Sequence, residues 1–255
     1  MSHSQAVKWA SVAALVLSVT VTGSYAQDSF VPNGAVVEQR GLLPKYPADK
    51  DCSPITSTFA SWADVDGSRR DEAHSGIDAG RLGDPILAPA PGVVAAVWPA
   101  NWGWGREGAL IIKHERSDLG LQDGPPFYYS EFDHLRYRDI RNLSVGQRVA
   151  RGERLARVFR PGGNPDYLPE VHWEVWSIDD DSATTWHKNE FGRNDWFNKT
   201  ANLVDPLSLM SPAVPVSGDD GVELQAFEKG RDYRGFTYIL PCTKKVKPPS
   251  VDATQ

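Results

Sequence analysis

Positive charge is in short supply in this chain. Its 27 Lys and Arg are outnumbered by 33 Asp and Glu, giving a net charge of −6, and no run of basic residues occurs. Binding to a phosphate backbone needs clustered Lys and Arg, so nucleic acid is excluded as a partner, and so is a basic membrane-surface patch. Long apolar runs are lacking as well. The stretch Trp9 to Val21 is 13 residues, about 20 Å as a helix against a hydrocarbon core of ~30 Å. No long segment beyond it carries a sustained 3.6-residue apolar period, so helices should be few. Lysine is missing from 127 to 176. That gap excludes a lipoyl- or biotinyl-carrier domain, which needs a modifiable Lys at a hairpin tip, although the Gly turns of Val145–Val149 and Arg151–Leu155 would suit one. Cysteine is reduced to Cys52 and Cys242.

What is present points to a folded, exported chain. Nine Trp and 10% aromatic residues weigh against disorder. Lys8, the apolar stretch after it and the small residues Ser24 and Ala26 before Gln27 have the form of a signal peptide over 1–26. Its removal would leave a net charge of −7 and no stable membrane span. Export to a secreted or periplasmic location is oxidising, so Cys52 and Cys242 are candidates for a disulfide tying the C-terminal tail to the start of the domain.

Residues 27–53 read as an arm, and Thr56–Trp62 as a first strand. Short β-type runs follow at Pro85–Ala88, Val93–Val97, Ala109–His114, Phe127–His134 and Leu155–Phe159, separated by Gly, Pro and Asn-rich breaks. That punctuation predicts an all-β domain. The aromatic-studded segment 179–202 reads as a long ordered loop that either walls a groove or covers the core. Asn198-Lys199-Thr200 has the form of a glycosylation acceptor. A last strand is predicted over Tyr233–Leu240, with a mobile end from Lys244 to Gln255.

Chemistry concentrates at Glu170-Val171-His172-Trp173-Glu174-Val175-Trp176. As a strand it would send Val171, Trp173 and Val175 to a core and Glu170, His172 and Glu174 to the other face. By itself such a polar face is what an antiparallel sheet shows to water. His74 and Asp78, with Gly76 between, share a face in either an extended or a helical segment. With His172 they would make a His/Asp/His set, and three protein ligands with one open position is the pattern of catalytic zinc.

Five stretches then resemble, in order, the lysostaphin/LytM-type zinc peptidase family, secreted enzymes that cut peptide bonds in bacterial peptidoglycan. His74-Ser75-Gly76-Ile77-Asp78 resembles its H-x-G-x-D segment, and Gly83 to Val94 the strand-turn-strand after it. Phe132-Asp133-His134-Leu135 resembles Y-x-H-L, Val145 to Val149 the V-x-x-G-Q-x-V turn, and Val171 to Val175 the second half of H-L-H-F-E-V. The resemblance spans about 55 to 210. It implies an antiparallel β-sandwich of the duplicated hybrid motif type over 54–210, followed by an extension over 211–255. It also implies one Zn²⁺ per chain on His74, Asp78 and His172, with His134 steadying the transition state or polarising water, and peptidoglycan peptides as substrate. Glu174 fits a group that orients a ligand, while His114 and His187 read as ordinary residues.

One position departs from the family. Glu170 stands where the family has the first His of H-x-H, which helps activate water. A glutamate can serve as general base beside His ligands. It can also close the open position as a fourth ligand. Two readings follow: a zinc endopeptidase using Glu170 and His134, or a zinc-binding, non-hydrolytic domain that recruits or activates another cell-wall hydrolase.

Overall fold

The computed structural model describes residues 41–64, 66–100, 107–161, 165–189, 193–210 and 221–245. The signal segment 1–26, the arm up to residue 40, Phe191 and the extension at 211–220 and 246–255 lie outside the described residues.

In chain order the strands are β1 (Leu43–Lys45), β2 (Lys50–Cys52), β3 (Ile55–Ser57), β4 (Ile77–Ala79), β5 (Pro85–Leu87), β6 (Gly92–Pro99), β7 (Glu107–Glu115) and β8 (Phe127–Arg136). A single helical turn, α1 (Tyr137–Ile140), precedes β9 (Arg148–Val149), β10 (Arg154–Arg157) and β11 (Val171–Ile178). The remainder are β12 (Thr185–Lys188), β13 (Asn194–Phe197), β14 (Ala201–Val204), β15 (Gly221–Glu223) and β16 (Cys242–Lys244). The protein is all-β with few helices, in keeping with its short apolar runs and missing helical period. Among the described residues no helix is long and apolar enough to cross a membrane.

An antiparallel sheet in the order β3-β4-β11-β8-β7-β6-β9, with β14 also on β11, is the frame. Alternation along β11 sends Val171, Trp173 and Val175 into the core, each fully buried. Trp173 stacks on Phe132 of β8 at 6.2 Å between ring centres and meets Phe236 edge-on at 5.7 Å. The second layer on that core is thin. It is the antiparallel β5–β10 ribbon, which supplies Ile86, Leu155 and Ala156, together with the coil 236–240.

That coil is where a last strand was expected. Its residues from Phe236 to Leu240 are buried, yet their backbone groups pair singly with scattered partners. Thr237 N donates to Pro89 O, Tyr238 N to Gln225 O, and Ile239 O accepts from Leu87 N. Burial made it apolar, and no neighbouring strand offers it a ladder. Two further spans differ from expectation. The first strand is shorter, at Ile55–Ser57, and the loop 179–202 contains the antiparallel β12–β13 ribbon. That ribbon packs Trp196 against Trp176 and Tyr129, so it covers the core. Asn198 is buried there, with its amide donating to Asp180 O and Thr184 Oγ1 at 2.8 Å each, which leaves no room for a glycan.

The described parts of the arm and the extension join the same body. β1 pairs in parallel with β15, and β2 antiparallel with β16. Cys52 and Cys242 face each other across that second pair and are joined by a disulfide. Lys244 and Lys245, expected to be mobile, are held by β2 and by Asp49 O.

His114 on β7 is fully buried, bonding Pro91 O at 2.6 Å and Ser130 Oγ at 3.0 Å. Burial pulls its pKa down to about 4. A histidine kept neutral by the fold contributes stability that is complete above pH 6.5. It is lost as pH falls from there toward 4, because the unfolded chain binds a proton that the folded chain refuses. The loss at pH 4.5 is about 2–3 kcal/mol. Urea unfolding of wild type and His114→Gln between pH 7 and 4.5 should show this extra slope in the wild type alone, and equal slopes would remove the account. Replacing both Cys52 and Cys242 by Ser frees a closure spanning 190 residues and is expected to cost about 2–5 kcal/mol, read from the same denaturation experiment.

Candidate metal centre

The other face of the sheet carries the site. β11 lies between β4 and β8, and the register sets Asp78, His172 and Asp133 opposite one another. Directly paired residues point to the same face, so the three side chains form one row across three strands. The next row is Glu174 and Glu131, and beyond it Trp176 and Tyr129. His74 arrives from the segment before β4. Gly76 lets that segment press onto β11, since a Cβ there would meet Trp173 O at 2.3 Å and Glu174 Cγ at 3.1 Å.

Three donor atoms converge. His74 Nε2 lies 3.1 Å from His172 Nδ1 and 3.1 Å from an Asp78 oxygen, and His172 Nδ1 lies 2.8 Å from the other Asp78 oxygen. His74 and Asp78 are buried and His172 nearly so. The far nitrogen of each ring is occupied. His74 Nδ1 meets Thr58 O at 2.9 Å and Ser57 Oγ at 3.1 Å. His172 Nε2 meets Glu174 Oε1 at 3.0 Å and Ser75 Oγ at 3.3 Å. Glu174 in turn accepts from Ser75 and, at 2.9 Å, from Trp176 Nε1. Rings anchored in this way, with the remaining nitrogen aimed at a carboxylate, suit a tetrahedral divalent ion such as Zn²⁺.

The electrostatics follow from the row. Burial pushes Asp78 up, but hydrogen bonds from His172 and His74 outweigh it and hold the carboxyl below its usual range. Burial pulls His172 down, and bonds to Asp78 and Glu174 more than reverse this. Burial raises Asp133 to about 7 and Glu131 well above its ordinary value, the latter helped by the charges of Asp133 and Glu174. Glu170 is raised to about 7, first by burial and then by Asp78.

Glu170, His134 and the three converging residues line one cleft of about 1170 Å³, whose far wall includes Trp196. Glu170 enters it just before β11, where its N–H donates to Phe159 O at 3.2 Å. No residue of the arm or of the C-terminal strands lines the cleft among the described residues. His114 and His187 are elsewhere, on the core side of β7 and on the exposed β12. Four contributors carry no signal readable in the sequence. Ser75 and Asp133 were the variable letters of their motifs, and Arg70 reaches Asp78 at 3.5 Å from a polar loop. Glu107, far from every motif, meets His134 Nδ1 at 3.0 Å.

Residues 72–184 match the family model described as Peptidase family M23. That match takes in fewer than half of the chain's 255 residues and agrees with the lysostaphin/LytM-type resemblance of its motifs. Among solved structures, a zinc-containing peptidase from Vibrio cholerae is 25% identical over 57% of this chain, with a TM-score of 0.35. The chain spans only 41% of that protein's length. LytU is 24% identical over 62% of this chain and 84% of its own, TM-score 0.39. The catalytic domain of lysostaphin from Staphylococcus simulans is 18% identical over 62% and 90%, TM-score 0.33. No curated protein matches the chain. The likeness to the family rests on the model match.

Glu174 holds His172 by a charged bond, so if the site takes a divalent metal, Glu174→Gln is expected to weaken its binding about 10–100-fold. Competition against a chromophoric chelator measures this, and an unchanged affinity would show that Glu174 does not set the ring.

Proposed function

We propose that the protein is an exported zinc metalloendopeptidase that hydrolyses peptide cross-links of bacterial peptidoglycan. The observation that carries this reading is the meeting of His74 Nε2, His172 Nδ1 and Asp78, with both opposite ring nitrogens held. The match to the peptidase family model supports the reaction class. The disulfide and the signal-like segment support export.

His74, Asp78 and His172 would hold one Zn²⁺, which when bound polarises the scissile carbonyl and lowers the pKa of water. The chain's own residues do the rest. Glu170, within the same cleft, accepts the proton that the attacking water must lose. It then returns that proton to the leaving amine. His134, its Nδ1–H accepted by Glu107, stabilises in its protonated form the oxyanion that develops on the carbonyl. The cleft walls align the peptide and thin out bulk water around these groups.

The rival reading, a domain that binds metal without hydrolysis and recruits another hydrolase, is favoured only by Glu170 standing in place of the family's histidine. Wall digestion by the mature protein separates the two. The mature protein should contain about one zinc per chain and release peptides from purified cell wall. His172→Ala should abolish both, and Glu170→Ala should lower turnover on the order of 100-fold or more with zinc retained. Full zinc content with no turnover in the wild type would favour the recruiting domain, and a gain in Glu170→His would show that the native site is impaired.

A further inference from the structure

His134 is held in an unusual way. β7 and β8 pair as Gly108 with Leu135 and Leu110 with Phe132, with the register shifting between them. Asp133 and His134 therefore share the place opposite the single residue Ala109, which makes a β-bulge on β8. In a regular strand these two neighbours would point to opposite faces, and His134 would enter the core. The bulge puts His134 at φ +56°, in the left-handed region that bulky side chains rarely adopt. As a result Asp133 and His134 both line the cleft. Strain of this kind persists where the surroundings over-determine it.

The surroundings here are Glu107. It opens β7 with only 1% of its surface exposed, and its Oε2 lies 3.0 Å from His134 Nδ1. With Glu107 as the acceptor, the ring nitrogen that faces it is Nδ1–H. The ring of His134 stands edge-on to that of His172, 6.3 Å between centres.

We propose that Glu107 is a positioning residue: it accepts Nδ1–H of His134, fixing that tautomer and the setting of the ring in the cleft beside His172. This rests on the peptidase reading for its purpose, though not for its geometry. A carboxylate in this role also stabilises the ring when it carries a second proton, which suits a donor to a developing oxyanion.

The test uses zinc-loaded protein and two readouts. Long-range ¹H–¹⁵N spectra of the histidine rings should show His134 protonated at Nδ1 in the wild type. In Glu107→Leu that signature should be lost to the Nε2–H tautomer, and turnover on cell wall should fall on the order of 100-fold in kcat with KM and zinc content unchanged. Glu107→Gln, whose amide oxygen can still accept, should recover the tautomer and part of the rate lost in Glu107→Leu. A wild-type His134 protonated at Nε2 alone overturns the proposal before any variant is made. So does an unchanged tautomer in Glu107→Leu. Should the wild type show the Nδ1–H signature and its dependence on Glu107 while digesting no wall, the positioning stands and the peptidase reading falls.

Discussion

The site depends on one pairing: β11 seated between β4 and β8 with His172 opposite both Asp78 and Asp133. A slip of one residue in either pairing would turn the side chains of that strand to the wrong face. His172 would then lie in the core and Trp173 in the cleft. The register is pinned by what such a slip would expose. Val171, Trp173 and Val175 are fully buried on one face of β11, and Trp173 is wedged between Phe132 and Phe236. Burying a side chain of that kind is worth about 2–3 kcal/mol, so the row of Asp78, His172 and Asp133 is fixed by the hydrophobic row behind it. Gly76 closes the arrangement from the β4 side by allowing backbone to approach backbone.

This explains what was legible beforehand. The alternation of residues 170–176, the H-x-G-x-D spacing and the order of the motifs predicted which side chains would meet, because period-2 geometry and short-range spacing are written locally. The all-β class followed from short apolar runs and their punctuation. The coil 236–240 misled for a physical reason. An apolar run records burial, and burial does not require a ladder when single bonds to Pro89, Leu87 and Gln225 satisfy the backbone. Glu107 was illegible for another reason. Its meaning comes from a bulge on a neighbouring strand, and nothing in its own surroundings along the chain marks it.

The ends of the described chain contribute more than a family match would suggest. The match covers 72–184, yet Cys52, Val222, Phe236, Tyr238, Ile239 and Leu240 lie in the same buried cluster as Trp173. The strands β1 and β2 meet β15 and β16 at a distance from the cleft, and the disulfide locks that meeting. Phe236 touches the ring of Trp173, whose strand neighbours are His172 and Glu174. The C-terminal segment thus supports the site from behind without entering it.

The cleft floor has a further consequence for what it can hold. Asp78, Asp133, Glu131, Glu170 and Glu174 all line it, against Arg70, Arg69 and Arg193 on its walls. Among the described residues Asp133 Oδ1 is buried without a hydrogen-bond partner. Crowded carboxylates raise one another and favour positive charge wherever a neighbour can carry it. His172 sits at the centre of the row with carboxylates on both ring nitrogens, and is accordingly drawn toward its protonated form. A proton and a divalent ion would compete for the same Nδ1, so a metal held there would release a proton and bind more strongly as pH rises. Glu174 affects both sides of that competition. It makes the ring more basic toward a proton, and by holding Nε2 it leaves Nδ1 as the nitrogen offered to a metal. The same acidic floor that raises the proton affinity of His172 therefore also favours a dication over a monovalent one, since each carboxylate interacts with it in proportion to its charge.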